Sequence, residues 1–150
     1  MANSLANSRA AEILLVEDNF YDVILMRESL SRAKLLLNLH HVENGEACLS
    51  FLRKQGNFAD APTPDLVLLD INLPLVDGRE VMREIMADDR LKALPVVALT
   101  TSATDASIEE MRRLGCPLHM VKPVDFEQLQ QVVSKIAGCW FSLVIVPPSS

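Results

Sequence analysis

Short apolar runs alternate along the chain with stretches in which apolar residues recur every three or four positions. The recurring spacing predicts amphipathic helices, and the continuous runs predict strands that are covered on both faces. Strands that alternate with helices indicate βαβ units and a parallel sheet. The apolar runs lie at residues 13–16, 35–42, 66–69, 96–99 and 118–121, and the longest helical pattern covers residues 126–140.

The length and composition indicate the size of the domain and the class of protein. The chain has 150 residues, of which 49% are hydrophobic and 23% charged, which excludes a disordered chain and favours one globular domain. Its formal net charge of −6 is a poor basis for binding nucleic-acid phosphates. The first ten residues lack the apolar core of a secretory signal, and no apolar run is long enough to span a bilayer. We therefore expect a cytoplasmic protein without nucleic-acid or membrane partners.

Polar residues whose side chains could take part in chemistry follow four of the apolar runs. Glu17 and Asp18 follow the first, Asp70 the third, Thr100 the fourth and Lys122 the fifth. Parallel strands end at one edge of the sheet, so these side chains are expected to converge there. Crowded carboxylates repel one another, and a hard cation such as Mg²⁺ relieves that repulsion. With a hydroxyl and a lysine nearby, the site suits a phosphoryl group, and a carboxylate can itself become an aspartyl phosphate.

These motifs resemble the receiver domains of two-component response regulators. The match covers the acidic pair after ILLV, Asp70 in LVLLDINLPLVDG, Thr100 in PVVALTTSA and Lys122 in MVKPV. It extends over about residues 12–138. The resemblance implies a flavodoxin-like, doubly wound (βα)5 fold with helices on both faces of a five-stranded parallel sheet in the order 2-1-3-4-5. It also implies a cis bond between Lys122 and Pro123.

The resemblance also implies a role for each of these side chains. Asp70 would accept a phosphoryl group from a phosphohistidine on a sensor histidine kinase. Thr100 and Lys122 would contact the phosphoryl oxygens. The residues that would hold Mg²⁺ are Glu17, Asp18, Asp70 and Asn72, the last through its backbone carbonyl.

A single-domain regulator of this kind signals through contacts with a downstream relay or effector protein, and it is not an enzyme beyond its own phosphorylation and dephosphorylation. Several spans, including CWFSLVIVPP, resemble stand-alone regulators that are paired with bacterial phytochromes, so a phytochrome kinase is the expected partner. Two alternatives stay open. An aspartate-nucleophile phosphatase would need a DxDxT pattern, in which Asn72 replaces the second Asp here. A docking module would act without phosphate.

Two features depart from the family pattern. His119 stands where receivers carry Tyr or Phe, which indicates either a tolerated polar residue or a changed switch acting with Thr100. The chain divides into a polar tail at 1–10, a receiver at 11–138 and an apolar extension at 139–150. The extension either folds onto its own core or forms an interface. We expect a homodimer in which Trp140 and Phe141 are interface anchors.

Overall fold

A parallel five-stranded sheet forms the centre of the fold. The computed structural model describes residues 10–33, 37–73, 76–102 and 104–136. The strands follow the apolar runs closely, and an amphipathic helix follows each of them. The strands are β1 (Ala11–Val16), β2 (Leu37–Val42), β3 (Leu66–Asp70), β4 (Val96–Thr100) and β5 (Leu118–Val121). The helices are α1 (Phe20–Ala33), α2 (Gly45–Leu52), α3 (Gly78–Met86), α4 (Ser107–Arg113) and α5 (Phe126–Val133), with a 3-10 turn at Gly56–Phe58.

The strands are all parallel and lie in the order β2-β1-β3-β4-β5, which confirms the predicted fold class and strand order. Val16 at the end of β1 is in register with Leu69 of β3. Thr100 at the end of β4 is in register with Val121 of β5. The registers therefore bring the predicted polar residues to one edge of the sheet, because each follows or ends a strand at a similar level.

Two apolar layers cover the sheet, one on each face. Every residue of β3 and β4 is buried, as the continuous apolar runs predict for central parallel strands. One layer packs α1 and α5 against the sheet, and the other packs α2, α3 and α4. The sheet edge that carries the polar residues therefore continues from central strands that are covered on both faces.

Caps and one close backbone approach fix the loops around this edge. Asp77 and Asp125 accept backbone N–H bonds at the starts of α3 and α5, as N-cap residues do. Gly78 lets α3 begin directly against the loop after β3, because a Cβ there would lie 2.7 Å from the carbonyl oxygen of Asp70. The peptide bond between Lys122 and Pro123 is cis, as the resemblance implies.

Helix α5 is shorter than the apolar spacing predicts. It ends at Val133, and the Ser134 hydroxyl bonds back to the carbonyl oxygen of Gln131. The predicted anchors Trp140 and Phe141, and the extension to which they belong, lie outside the described residues. Within the described ranges, no helix is both long enough and apolar enough to cross a bilayer.

Candidate functional site

Three carboxylates meet where β1 and β3 end. Oxygen atoms of Glu17, Asp18 and Asp70 all lie within 4.8 Å of one another. Glu17 and Asp70 are buried, at 1% and 5% exposure, whereas Asp18 is exposed. Burial and the neighbouring Asp70 carboxylate raise the pKa of Glu17 to about 7. The predicted acidic cluster is therefore present, and it is electrostatically costly without a compensating cation.

The Lys122 ammonium lies between these carboxylates. Its Nζ is 2.9 Å from Glu17 Oε1 and 3.1 Å from Asp70 Oδ2. The Lys122 backbone N–H donates to the carbonyl oxygen of Thr100 at 2.8 Å, which holds the loop after β5 against the end of β4. Burial disfavours the ammonium, but its bonds to Glu17 and Asp70 outweigh this and raise the pKa of Lys122 above its ordinary value. Lys122 is therefore charged at neutral pH.

Asp22 is a fourth carboxylate of this site and was missed by sequence reasoning. Its Oδ2 lies 3.2 Å from Lys122 Nζ. Asp22 is in the first turn of α1, where its backbone N–H donates to the Asn19 side chain at 3.1 Å. Asn19 thereby caps the start of α1. The signal for Asp22 was the shortness of the connection from Asp18 to the helix, which leaves the first turn of α1 at the same edge.

Asp70 is held by groups from two directions. Its Oδ1 accepts the backbone N–H of Asn72 at 3.0 Å, while Oδ2 accepts from Lys122. The Asn72 residue itself is exposed. Each carboxylate oxygen of Asp70 thus has a partner within the protein. The loop after β3 and the Lys122 ammonium together orient the carboxylate.

Thr100 reaches the same edge, but its hydroxyl is bonded to the loop after β4. The hydroxyl oxygen lies 3.1 Å from Asp105 Oδ2 and 3.2 Å from the carbonyl oxygen of Ser102. Thr100 is only 2% exposed. Sequence reasoning did not identify Asp105 as a partner of this threonine.

His119 is half-buried on β5, in register with Ala98 of β4. It therefore lies on the strand that leads to Lys122, next to the strand that ends at Thr100. This agrees with the half-exposed strand position that the sequence predicts for His119.

The donor atoms of the acidic cluster fit a hard divalent cation. Carboxylate oxygens are the ligands that Mg²⁺ and Mn²⁺ prefer, and Mg²⁺ commonly takes one or two of them together with water. Glu17, Asp18 and Asp70 supply such oxygens at one edge of the sheet. Burial and the Asp70 carboxylate raise the pKa of Glu17, and a cation here would offset the repulsion between the two carboxylates.

Comparisons with known proteins agree with this geometry. The sequence profile of the response regulator receiver domain matches residues 13–134. The chain is 37% identical over 135 residues to response regulator Rcp1 from Synechocystis sp., covering 90% of this chain and 92% of that protein. A structure of Rcp1 with bound Mn²⁺ superposes with a TM-score of 0.70 at 36% identity, covering 92% of this chain and 99% of that one.

Two further solved structures are similar. The bacteriophytochrome response regulator AtBRR has a TM-score of 0.81 at 33% identity, covering 91% of this chain and 99% of that one. The phosphorylated cyanobacterial phytochrome response regulator RcpA has a TM-score of 0.70 at 39% identity, covering 82% and 88%.

Proposed function

Because the chain belongs to the response regulator receiver domain family, we propose that Asp70 is its phosphoacceptor and that the phosphorylated form signals by protein–protein contact. The family consists of signalling modules, so the chain is not a classical enzyme. The observation that supports the proposal most directly is the arrangement of Asp70. Its carboxylate lies at the end of a buried strand, beside Lys122 and within the acidic cluster.

This arrangement supports phosphoryl transfer to Asp70. A carboxylate oxygen of Asp70 attacks the phosphorus atom of a phosphohistidine. The P–O bond forms as the P–N bond breaks, and the electron pair returns to the imidazole nitrogen. Lys122 neutralises part of the charge on the phosphoryl oxygens, and the Asn72 N–H orients the carboxylate. Thr100 is the hydroxyl donor at the same edge, once its present bonds are broken.

Mg²⁺ is the cation proposed for the acidic cluster. The protein groups proposed to hold it are the carboxylates of Glu17, Asp18 and Asp70 and the backbone carbonyl of Asn72. The ion would supply positive charge that offsets repulsion between the Asp70 carboxylate and an incoming phosphoryl group. The hard oxygen donors on this edge support the assignment.

A sensor histidine kinase is the proposed phosphoryl donor, and the phytochrome response regulators among the relatives favour a phytochrome kinase. The surface of α1 next to the site supports protein docking. Phe20 and Tyr21 are 68% and 67% exposed, and Ile24 and Leu25 extend the same apolar surface. Asp22 lies within this segment and reaches Lys122, so a protein docked on α1 would approach Asp70.

Four finer features belong to the same proposal. The downstream partner is a relay or effector protein, since the proposed output is a protein contact. The protein is proposed to be cytoplasmic and to form a homodimer through Trp140 and Phe141. His119 is proposed to act with Thr100 in the switch, a role supported by its place on β5 next to β4. Truncation after Ala137 should yield a monomer in light scattering, and an undiminished dimer would contradict the role of the extension.

Phosphorylation by acetyl phosphate tests the central proposal. Incubation with Mg²⁺ should add one phosphoryl group to the wild-type chain and none to Asp70→Ala, as measured by intact mass. Asp89→Ala is the matched control because the Asp89 side chain is 93% exposed in the loop between α3 and β4. An adduct that persists in Asp70→Ala would contradict the assignment. So would a wild-type chain that gives no adduct and does not bind beryllofluoride.

Transfer from a kinase tests the docking surface separately. The Phe20→Ser/Ile24→Ser variant should slow transfer from a phosphohistidine kinase while leaving labelling by acetyl phosphate unchanged. Met86→Ser is the control, since Met86 is 43% exposed on α3. Equal slowing with both donors would indicate damage to the site instead of lost docking.

A further inference from the structure

The hydroxyl of Thr100 is already committed to partners on the loop after β4. Its oxygen is 3.1 Å from Asp105 Oδ2 and 3.2 Å from the Ser102 carbonyl oxygen, and it accepts the Ser102 N–H at 3.3 Å. A hydroxyl has one proton to donate. Donation to a phosphoryl oxygen on Asp70 therefore requires the hydroxyl to give up its bond to Asp105 or to Ser102.

We propose that Asp105 is a positioning residue that holds the Thr100 hydroxyl away from Asp70 and so opposes the phosphorylated state. The inference rests on the proposed function, in which Thr100 contacts the phosphoryl group. Asp105 acts only through Thr100 and does not touch the phosphoryl group itself.

Asp105 is well fixed for this role. Its Oδ1 accepts the backbone N–H of Ser107 at 2.8 Å, and its own N–H donates to the Ser102 carbonyl at 3.2 Å. The backbone bond from Ser107 and the bond from Thr100 lower the pKa of Asp105, so its carboxylate is charged at neutral pH. A hydroxyl bond to a carboxylate is stronger than one to a neutral carbonyl. Of the two acceptors near Thr100, Asp105 is therefore the stronger.

The Asp105 position is also connected to α3. Arg79 of α3 donates from Nη2 to the Ser107 hydroxyl at 2.5 Å and from Nε to Glu110 Oε1 at 2.5 Å. The same Ser107 gives its backbone N–H to Asp105. Arg79 thus anchors the start of α4, and the start of α4 holds Asp105 in reach of Thr100. Loss of the bond between the Thr100 hydroxyl and Asp105 would therefore alter the contact between α3 and α4.

Asp105→Asn is the most informative variant, because the asparagine side chain has nearly the same shape as that of aspartate. The amide oxygen can still accept from Ser107, while the amide nitrogen replaces the acceptor that faces Thr100. The nitrogen donates to the hydroxyl instead of accepting from it, so the hydroxyl proton becomes available. Beryllofluoride with Mg²⁺ mimics the phosphoryl group on Asp70, and titration calorimetry measures its affinity. We expect Asp105→Asn to bind it roughly threefold to tenfold more tightly than wild type, as loss of one competing hydrogen bond implies.

Two controls separate this role from a structural one. Asp88→Asn alters a similar bond, since Asp88 Oδ1 accepts the N–H of Arg90 at 2.9 Å, and it should leave beryllofluoride affinity unchanged. In a Thr100→Val background, Asp105→Asn should have no further effect, because no hydroxyl remains to be positioned. Asp105→Ala provides a second variant: it removes both bonds and should also tighten binding when Thr100 is present.

The outcomes are distinguishable. Tighter binding by the Asp105 variants that disappears in Thr100→Val supports the inference. Unchanged affinity in both Asp105 variants, or equal tightening with and without the hydroxyl, would overturn it while leaving the proposed function intact. A wild-type chain that does not bind beryllofluoride would overturn the proposed function and this inference together.

Discussion

Strand β3 contains two opposite kinds of burial in consecutive residues. Residues 66–69 are completely buried among apolar side chains, and Asp70, the next residue, is only 5% exposed. The leucines and Val67 need no particular partner, because apolar burial is non-directional. Asp70 depends on the Asn72 N–H and on the Lys122 ammonium. Equal burial therefore stabilises the fold at one position and imposes an electrostatic cost at the next.

The cost is visible in the balance of charge at the strand end. The carboxylates of Glu17, Asp22 and Asp70 contact the Lys122 ammonium. A fourth, from Asp18, has an oxygen within 4.8 Å of those of Glu17 and Asp70. Their mutual repulsion is the property that makes the site receptive to a cation. The apolar part of β3 supplies the stability that allows this group of charges to persist. Truncation of an apolar side chain should therefore lower stability, whereas removal of a carboxylate should raise it when no divalent cation is bound.

The largest effect on stability is expected in the apolar region. Leu68→Ala removes a side chain with 0% exposure and should lower the free energy of unfolding by about 3–4 kcal/mol. Chemical denaturation measures the change. Ile24→Ala is the control, because Ile24 is 44% exposed on α1 and should cost less than about 1 kcal/mol. Similar losses at both positions would show that the sheet interior is not the main source of stability.

A smaller loss of stability is expected when the Lys122 ammonium is removed from the charged region. Lys122→Met leaves Glu17 and Asp70 buried without a compensating charge, and we expect a loss of about 2–3 kcal/mol at pH 8. Protonation of Glu17 removes one of these charges, so the loss should be smaller at pH 6. Lys135→Met, at an exposed position after α5, serves as the control. A variant as stable as wild type at pH 8 would contradict the assigned role of Lys122 in the cluster.

The contrast between apolar and charged burial also explains which features could be predicted from the sequence. Continuous apolar runs are a property of the chain itself, so β3 and β4 were predicted to within a residue, and their parallel arrangement followed from the alternation with helices. The convergence of Glu17, Asp18, Asp70 and Lys122 followed in turn, because parallel strands end at one edge.

Contacts made by helix and loop residues were not predictable in this way. Asp22 reaches Lys122 only because α1 starts directly at the sheet edge, and Asp105 reaches Thr100 only through the exact path of the loop after β4. No periodicity encodes either contact. The end of α5 at Val133 was also missed, because apolar spacing continues beyond the point where the backbone leaves the helix.

The third prediction concerns pH and isolates Glu17 within the charged region. Its pKa is about 7 in the folded chain against an ordinary value of 4.5. Between these values the folded state retains a proton that the unfolded state has lost. The contribution of Glu17 to the free energy of unfolding should therefore fall as pH rises from 4.5 through 7 without divalent cations. Glu17→Gln should remove this component, and a wild-type–variant difference that stays constant with pH would contradict it.

The smallest expected effect is that of Asp18→Asn on the free energy of unfolding. Its sign should reverse when Mg²⁺ is added, which distinguishes the charged region from the apolar part of β3. Asp18 is exposed, so Asp18→Asn relieves only screened repulsion and should raise the free energy of unfolding by about 0.5 kcal/mol in a chelating buffer. A cation that binds only the folded state stabilises it in proportion to its affinity, and the variant has lost one proposed ligand. Wild type should therefore become the more stable of the two at millimolar Mg²⁺. The apolar variant Leu68→Ala should keep the same deficit in both buffers. If Asp18→Asn gains as much stability from Mg²⁺ as wild type does, Asp18 is not a ligand of the cation.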